Sequence, residues 1–162
     1  MKQLLQQYAA YNIWANKRIL EAVSQLSEDQ INQEIVSSFP SVYKTLLHLM
    51  EVEKAWWERV KLAEHPSLSG WFNGNFDELS KKLIELSTQW HDWIQQTNDV
   101  NIMHVFAYQN SKKEHFKQPV YEVVLHLFNH QTFHRGQVVM MLRQLGVTRI
   151  PATDFSVFTR KK

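Results

Sequence analysis

Four stretches of this chain repeat their apolar residues every three or four positions, a period that dictates helices packed against one another. The first covers residues 2 to about 26, with Leu4, Tyr8, Tyr11, Ala15, Ile19, Ala22 and Leu26 on its stripe. Pro40-Ser41 opens the second, which runs to about residue 63 with Ser41 as its N-cap. Phe76, Leu79, Leu83, Leu86, Trp90 and Trp93 mark the third, behind an Asn75 cap with Glu78 at the third helical position. The last begins at Pro119 and ends at Leu145, with Gly146 as its stop. Four such helices in 162 residues, without repeat or linker, predict one all-α domain over residues 1–162, a four-helix bundle.

The connections carry weaker signals. Ser27-Glu28-Asp29-Gln30 is a capping-box sequence and predicts a turn or short helix. Residues 65–74 read as a loop. Val100, Ile102, His104, Phe106 and Tyr108 alternate by two, and Gln109-Asn110-Ser111-Lys112 then turns toward a second strand near Glu114–Phe116. That predicts a short β-hairpin between the third and fourth long helices. From Pro151 onward the chain is expected to be extended.

Composition narrows the function classes. Apolar residues make up 44% and charged residues 21%, a globular rather than disordered balance. Lys and Arg number 18 against 16 acidic residues, so no nucleic-acid partner is expected; Arg160-Lys161-Lys162 is the one basic cluster. With 0 cysteines there is no disulfide, thiolate ligand or cysteine nucleophile. No charged-then-apolar leader and no run of 18 apolar residues occurs, so the expectation is a cytoplasmic protein with no membrane partner.

Eight histidines remain, and three share one flank of the last helix: His126, His130 and His134. Helical-wheel placement puts His134 inside the apolar stripe, His130 at its shoulder and His126 further out. A pair at this spacing can grip one metal ion from a single helix face, or be a pair of hydrogen-bonded core histidines. Gln131 stands where a zincin carries its general-base Glu, and no Glu has a His three residues later. Any metal would therefore be a single ion, with a third ligand from another helix. His48, at the edge of the second helix's stripe, offers one. Glu53 lies nearer that stripe's middle, where a carboxylate needs a partner. It could orient a metal-bound His, hold a water, or meet Arg135, the favoured alternative. Three neutral imidazoles leave a divalent ion its full charge and an open position, which suits catalysis or ligand capture.

The passage His126-Leu-Phe-Asn-His130-Gln-Thr-Phe-His134-Arg135-Gly136-Gln137 resembles the DinB/YfiT-like family of metal-binding four-helix bundles. Tyr11-Asn-Ile-Trp14-Ala-Asn16-Lys-Arg18 resembles its first-helix signature, and His48-Leu-Met-Glu-Val-Glu53-Lys-Ala-Trp56-Trp57 its ligand-bearing second helix. The resemblance implies His48, His130 and His134 on one divalent ion, usually in a homodimer, with His126 outside the ligand set. It implies no DNA binding. Characterised relatives include thiol-dependent transferases and a thiol-dependent isomerase.

These readings lead to a mononuclear metalloenzyme acting on a small molecule, a thiol-dependent S-transferase with zinc or nickel and a low-molecular-weight thiol. Its catalytic residues are unassigned, with Glu53 the candidate behind the ligands. A metal-dependent hydrolase and a non-catalytic metal- or ligand-binding stress protein are the alternatives. Trp14 and Trp56 are expected to approach the site, and Asn16, Asn129 and Gln137 to support it. A second apolar strip on the last helix, Tyr121, Leu125, Phe128 and Val139, points separately to a dimer.

Overall fold

Helix starts fall where side chains can satisfy the free N–H groups of a first turn. The computed structural model describes residues 1–62, 66, 69–110 and 112–160. Helix α1 spans Lys2–Val23, a turn short of its expected end. The Ser27 hydroxyl accepts from the Gln30 amide and the Gln30 side chain accepts from the Ser27 amide, so a capping box starts the short α2, Glu28–Asn32. Ser41 caps α3, Val42–Val60, and Asn75 with Glu78 caps α4, Phe76–Gln96.

Two connections differ from the sequence expectation. The alternation from Val100 is not all strand: Asp99–Met103 form a helical turn, α5, because the Asn98 side chain accepts from the Asn101 amide. Only Ile102 of that turn is buried, so the apparent period of two had no sheet face behind it. The hairpin then follows as β1, Val105–Gln109, antiparallel to β2, His115–Pro119, with Val105 opposite Pro119 and Gln109 opposite His115. Pro119 ends β2 and precedes the last long helix, α6, Val120–Gln144, instead of opening it. The tail beyond Pro151 is not extended throughout. Phe155–Thr159 form α7, which lays Phe155 and Phe158 against Tyr11 while the Tyr11 hydroxyl donates to the Thr153 carbonyl. Ala63, His65, Ser111, Lys161 and Lys162, which figure in the sequence expectations, lie outside the described residues.

The long helices α1, α3, α4 and α6 form the bundle. Each packs on two others, α1 with α4 and α6, and α3 with α4 and α6. Helices α1 and α3, consecutive long helices in the chain, are therefore diagonal rather than adjacent. The core has two apolar halves. One gathers Ile19, Val23, Leu46, Leu49, Leu83 and Leu142; the other gathers Leu5, Trp90, Ile94, Val124, Leu127 and Phe128. On every long helix a buried polar residue stands between the two halves, and these residues prove to be linked.

Candidate metal centre

Helices α3 and α6 lie side by side, and each presents imidazoles to the other. His48 comes from the second turn of α3. His130 and His134 come from the middle of α6, one turn apart. The Nε2 atoms of His48 and His130 stand 3.0 Å apart, across 82 residues of sequence. One ring nitrogen from each of the three histidines fits within 4.8 Å of the others. Ring centroids are 4.3 Å apart for His130 and His134, and 4.7 Å for His48 and His134. The expected burial order holds: His134 is buried, His130 half-buried and His126 exposed.

All three imidazoles are held neutral. Burial, with the neighbouring His134, lowers His48 to about 4. Burial lowers His130 to about 3, reinforced by His134, His48 and His126. His134 is also lowered by burial, against an opposing hydrogen bond to Gln137. Its Nδ1 meets the Gln137 Oε1 at 2.7 Å, so Nδ1 carries the hydrogen and Nε2 keeps its lone pair. Gln137 thus supports the cluster as an acceptor.

These residues fit a metal ion. The His48–His130 contact joins two neutral Nε2 atoms, and His130 Nδ1 is buried without a partner, so hydrogen bonding leaves the cluster incompletely satisfied. Two nitrogens each about 2.1 Å from one ion lie about 3.0 to 3.4 Å apart at angles of about 90° to 110°. The observed 3.0 Å falls within that span. An all-imidazole donor set suits zinc or nickel.

Aromatic side chains flank the cluster. Phe39, from the loop before α3, stacks on His48 at 4.0 Å and meets His134 edge-on at 5.5 Å. Phe133 meets His134 from the exposed side of α6. On the other flank His126 neighbours His130, and Trp56 meets His126 edge-on at 5.6 Å. Trp56 therefore approaches the site. Trp14 does not: it packs on Tyr11 and Phe158, beneath the tail.

Glu53 is fully buried, but its carboxylate serves a different network. It accepts from Asn12 Nδ2 at 2.9 Å and from the Ser87 hydroxyl at 2.9 and 3.0 Å. Asn16 donates to Ser87, and Arg135 donates to the side-chain oxygens of Asn12 and Asn16 at 2.6 and 2.9 Å. The favoured Glu53–Arg135 salt bridge is thus replaced by a relay through two asparagines. Burial pushes the Glu53 carboxyl up to about 7, opposed by Ser87, Asn12 and the Arg135 charge. None of its hydrogen bonds reaches an imidazole. Asn16 likewise belongs to this relay, and Asn129 is exposed. Gln131, beside the first α6 ligand candidate, is buried and donates to the Leu49 carbonyl at 3.0 Å, so it braces α6 on α3.

The sequence profile of the DinB family matches residues 1–161. The chain belongs to the DinB family. Protein DinB of Bacillus subtilis (strain 168) is 30% identical to it over 156 residues, covering 91% of this chain and 89% of its own. Among solved structures, YfiT from Bacillus subtilis is described as a probable metal-dependent hydrolase with an unusual four-helix bundle topology. It matches at TM-score 0.71 and 14% identity, over 90% of each chain. A DinB-like protein from the same organism, YjoA, matches at TM-score 0.71 and 13% identity, over 91% of this chain and 97% of its own.

Sequence reasoning missed two features of this DinB-family protein. Phe39 was invisible because it lies in a loop, where no periodicity reports what a ring will touch. The four-helix relay left a trace: Asn12 and Asn16 fall one turn apart on the buried side of α1, costly places for amides without partners. The strip Tyr121, Leu125, Phe128 and Val139 also reads differently in the fold. Phe128 is buried and the other three pack against the protein's own core. The exposed large apolar residues described on α6 are Phe133 and Met140.

Proposed function

We propose that His48, His130 and His134 hold one divalent ion, zinc or nickel, and that this cytoplasmic protein is a metal-dependent enzyme transferring a small thiol to a small electrophile. The observation that carries the reading is the 3.0 Å approach of His48 and His130 Nε2, with His134 within the same 4.8 Å. An ion bound there would supply positive charge and an open position, which lower the pKa of a thiol or water.

The chain's own residues do the rest. Burial keeps the imidazoles unprotonated, so their lone pairs are available at neutral pH. Gln137 fixes the tautomer of His134. Phe39 and Phe133 cover the rings of His48 and His134 and restrict water there. His126 and Trp56 border the other flank and offer a donor and an apolar face to a substrate. The chain has 0 cysteines, so a sulfur nucleophile must come from a bound small molecule. Among the described residues no carboxylate joins the cluster. A thiol ionises near pH 8.5 before any metal acts on it, so it needs a smaller shift than water does to be an anion at neutral pH. Hydrolysis is the second reading, supported by the description given to YfiT. We also infer a homodimer, formed over the exposed Phe133 and Met140 of α6.

The test is the metal content of untagged protein and of His130→Ala, followed by turnover assays. One equivalent of metal, lost in the variant, is expected, with turnover of electrophiles only when a low-molecular-weight thiol is added. Metal-free wild-type protein, or metal unaffected by the substitution, overturns the site. Turnover of esters or amides with water alone replaces transfer by hydrolysis.

A further inference from the structure

Among the described residues Arg59 is a guanidinium without an acidic partner, on the same flank of α3 as the histidine cluster. His48, Val52, Trp56 and Arg59 follow one another at spacings of four, four and three, which align them along one side of the helix. The Arg59 Cζ lies 4.7 Å from the centre of the Trp56 ring. That ring in turn meets His126 at 5.6 Å and Tyr108 of β1 at 5.0 Å. His126 neighbours His130, so Trp56 joins the guanidinium to the candidate metal centre.

Arg59 is half-buried, and its Nε is enclosed without an acceptor. Among the described residues no carboxylate lies within ion-pair distance of it, whereas Lys54 and Lys82 on the neighbouring turns and helix are paired. A partly desolvated guanidinium with unused donors is costly until an anion arrives. The guanidinium carbon makes a cation–π contact with the Trp56 ring, which uses none of the N–H donors that match a planar carboxylate. Lys61, the C-cap of α3 and the next cation in the chain, is committed to Trp57 and Trp93. A single guanidinium suits a singly charged carboxylate better than a phosphate dianion.

We propose that Arg59, backed by Trp56, binds the carboxylate of a small organic acid whose reacting end lies at His48, His130 and His134. The inference rests on the metal-centre reading above and adds a substrate class to it. Eleven residues separate His48 from Arg59, roughly 16 Å along the helix axis, and the Arg59 side chain reaches back over Trp56. The substrate therefore carries its carboxylate on the order of 10 Å from its reacting group.

The experiment uses hydroxamic acids, which bind metal ions, titrated into the zinc-loaded protein by calorimetry. One probe ends in a carboxylate about six methylenes away, a length of about 10 Å extended. Its methyl ester and plain acetohydroxamic acid are the controls. The acid is expected to bind about tenfold more tightly than its ester, the span of a charge-assisted hydrogen bond. Arg59→Met removes that preference and Arg59→Lys keeps part of it. Arg18→Met, which truncates an arginine stacked on Trp14 of α1, leaves it unchanged. Equal binding of acid and ester to the wild type, or a preference that survives Arg59→Met, overturns the proposal. Acetohydroxamic acid that fails to bind the wild type sinks the metal-centre reading, and this proposal with it. Its equal binding to all variants shows that the centre is intact in each.

Discussion

Gln137 decides which nitrogen of His134 faces the other imidazoles. Its side-chain oxygen accepts from Nδ1, and its side-chain nitrogen donates to Ser38 at 3.3 Å, so the loop before α3 holds the orienting group in turn. Gln137→Leu keeps the volume and removes the acceptor. Metal affinity is expected to fall about tenfold, the lower end of what such supports contribute, with little change in the helical circular-dichroism signal. A chelator competition titration measures it; unchanged affinity would mean that packing against Phe39 alone orients the ring. The imidazoles themselves were legible in the sequence, because the i, i+4 spacing and the stripe edge at His48 report direction directly. Gln137 was legible as a polar residue one turn from His134. Phe39 and Arg59 were not legible, since their significance depends on which helix lies opposite.

At the scale of elements, the end of α6 shows local chemistry and sequence in agreement. Gly146 takes φ +83°, its amide donates to Arg143, and the Val147 amide donates to Leu142. This pattern closes a helix through a left-handed residue, and only glycine adopts it without cost. A Cβ built on Gly146 meets nothing within 4 Å. Gly146→Ala therefore carries backbone strain alone, about 1 kcal/mol, and should lower Tm by about 2 to 4 °C. A calorimetric scan checks this, and no change would show that the turn relaxes. The same capping logic made α2, α3 and α4 readable at their starts. It failed at α5, where the Asn98 cap was present but an accidental alternation of apolar residues masked it. It failed at α7 because Phe155 and Phe158 are ordered by the aromatic rings of α1, a tertiary contact with no local period.

For the whole molecule, the central feature is the relay that ties all four bundle helices at one level: Asn12 and Asn16 from α1, Glu53 from α3, Ser87 from α4 and Arg135 from α6. It separates the two apolar halves of the core, and a shift of one helix along another would leave its buried polar groups without partners. Its pH response is specific. Glu53 is raised from 4.5 to about 7 in the fold, so the folded state holds this proton more tightly than the unfolded chain. Its contribution to stability is complete below about pH 4.5 and is lost as pH rises through 7, amounting to about 3 kcal/mol. His48 and His130 act in the opposite sense, since their lowered values make metal-free stability rise with pH up to about 6.5. The two effects overlap in the wild type, and Glu53→Gln separates them, because the amide keeps the acceptor for Asn12 and cannot ionise. Metal-free wild type and variant are expected to differ little in Tm near pH 5. By about pH 8 the wild type should fall behind the variant by several degrees. A gap that does not move between these pH values would mean that the relay carries the Arg135 charge to an ionised Glu53 throughout. The relay would then be a distributed ion pair rather than a neutral hydrogen-bonded knot.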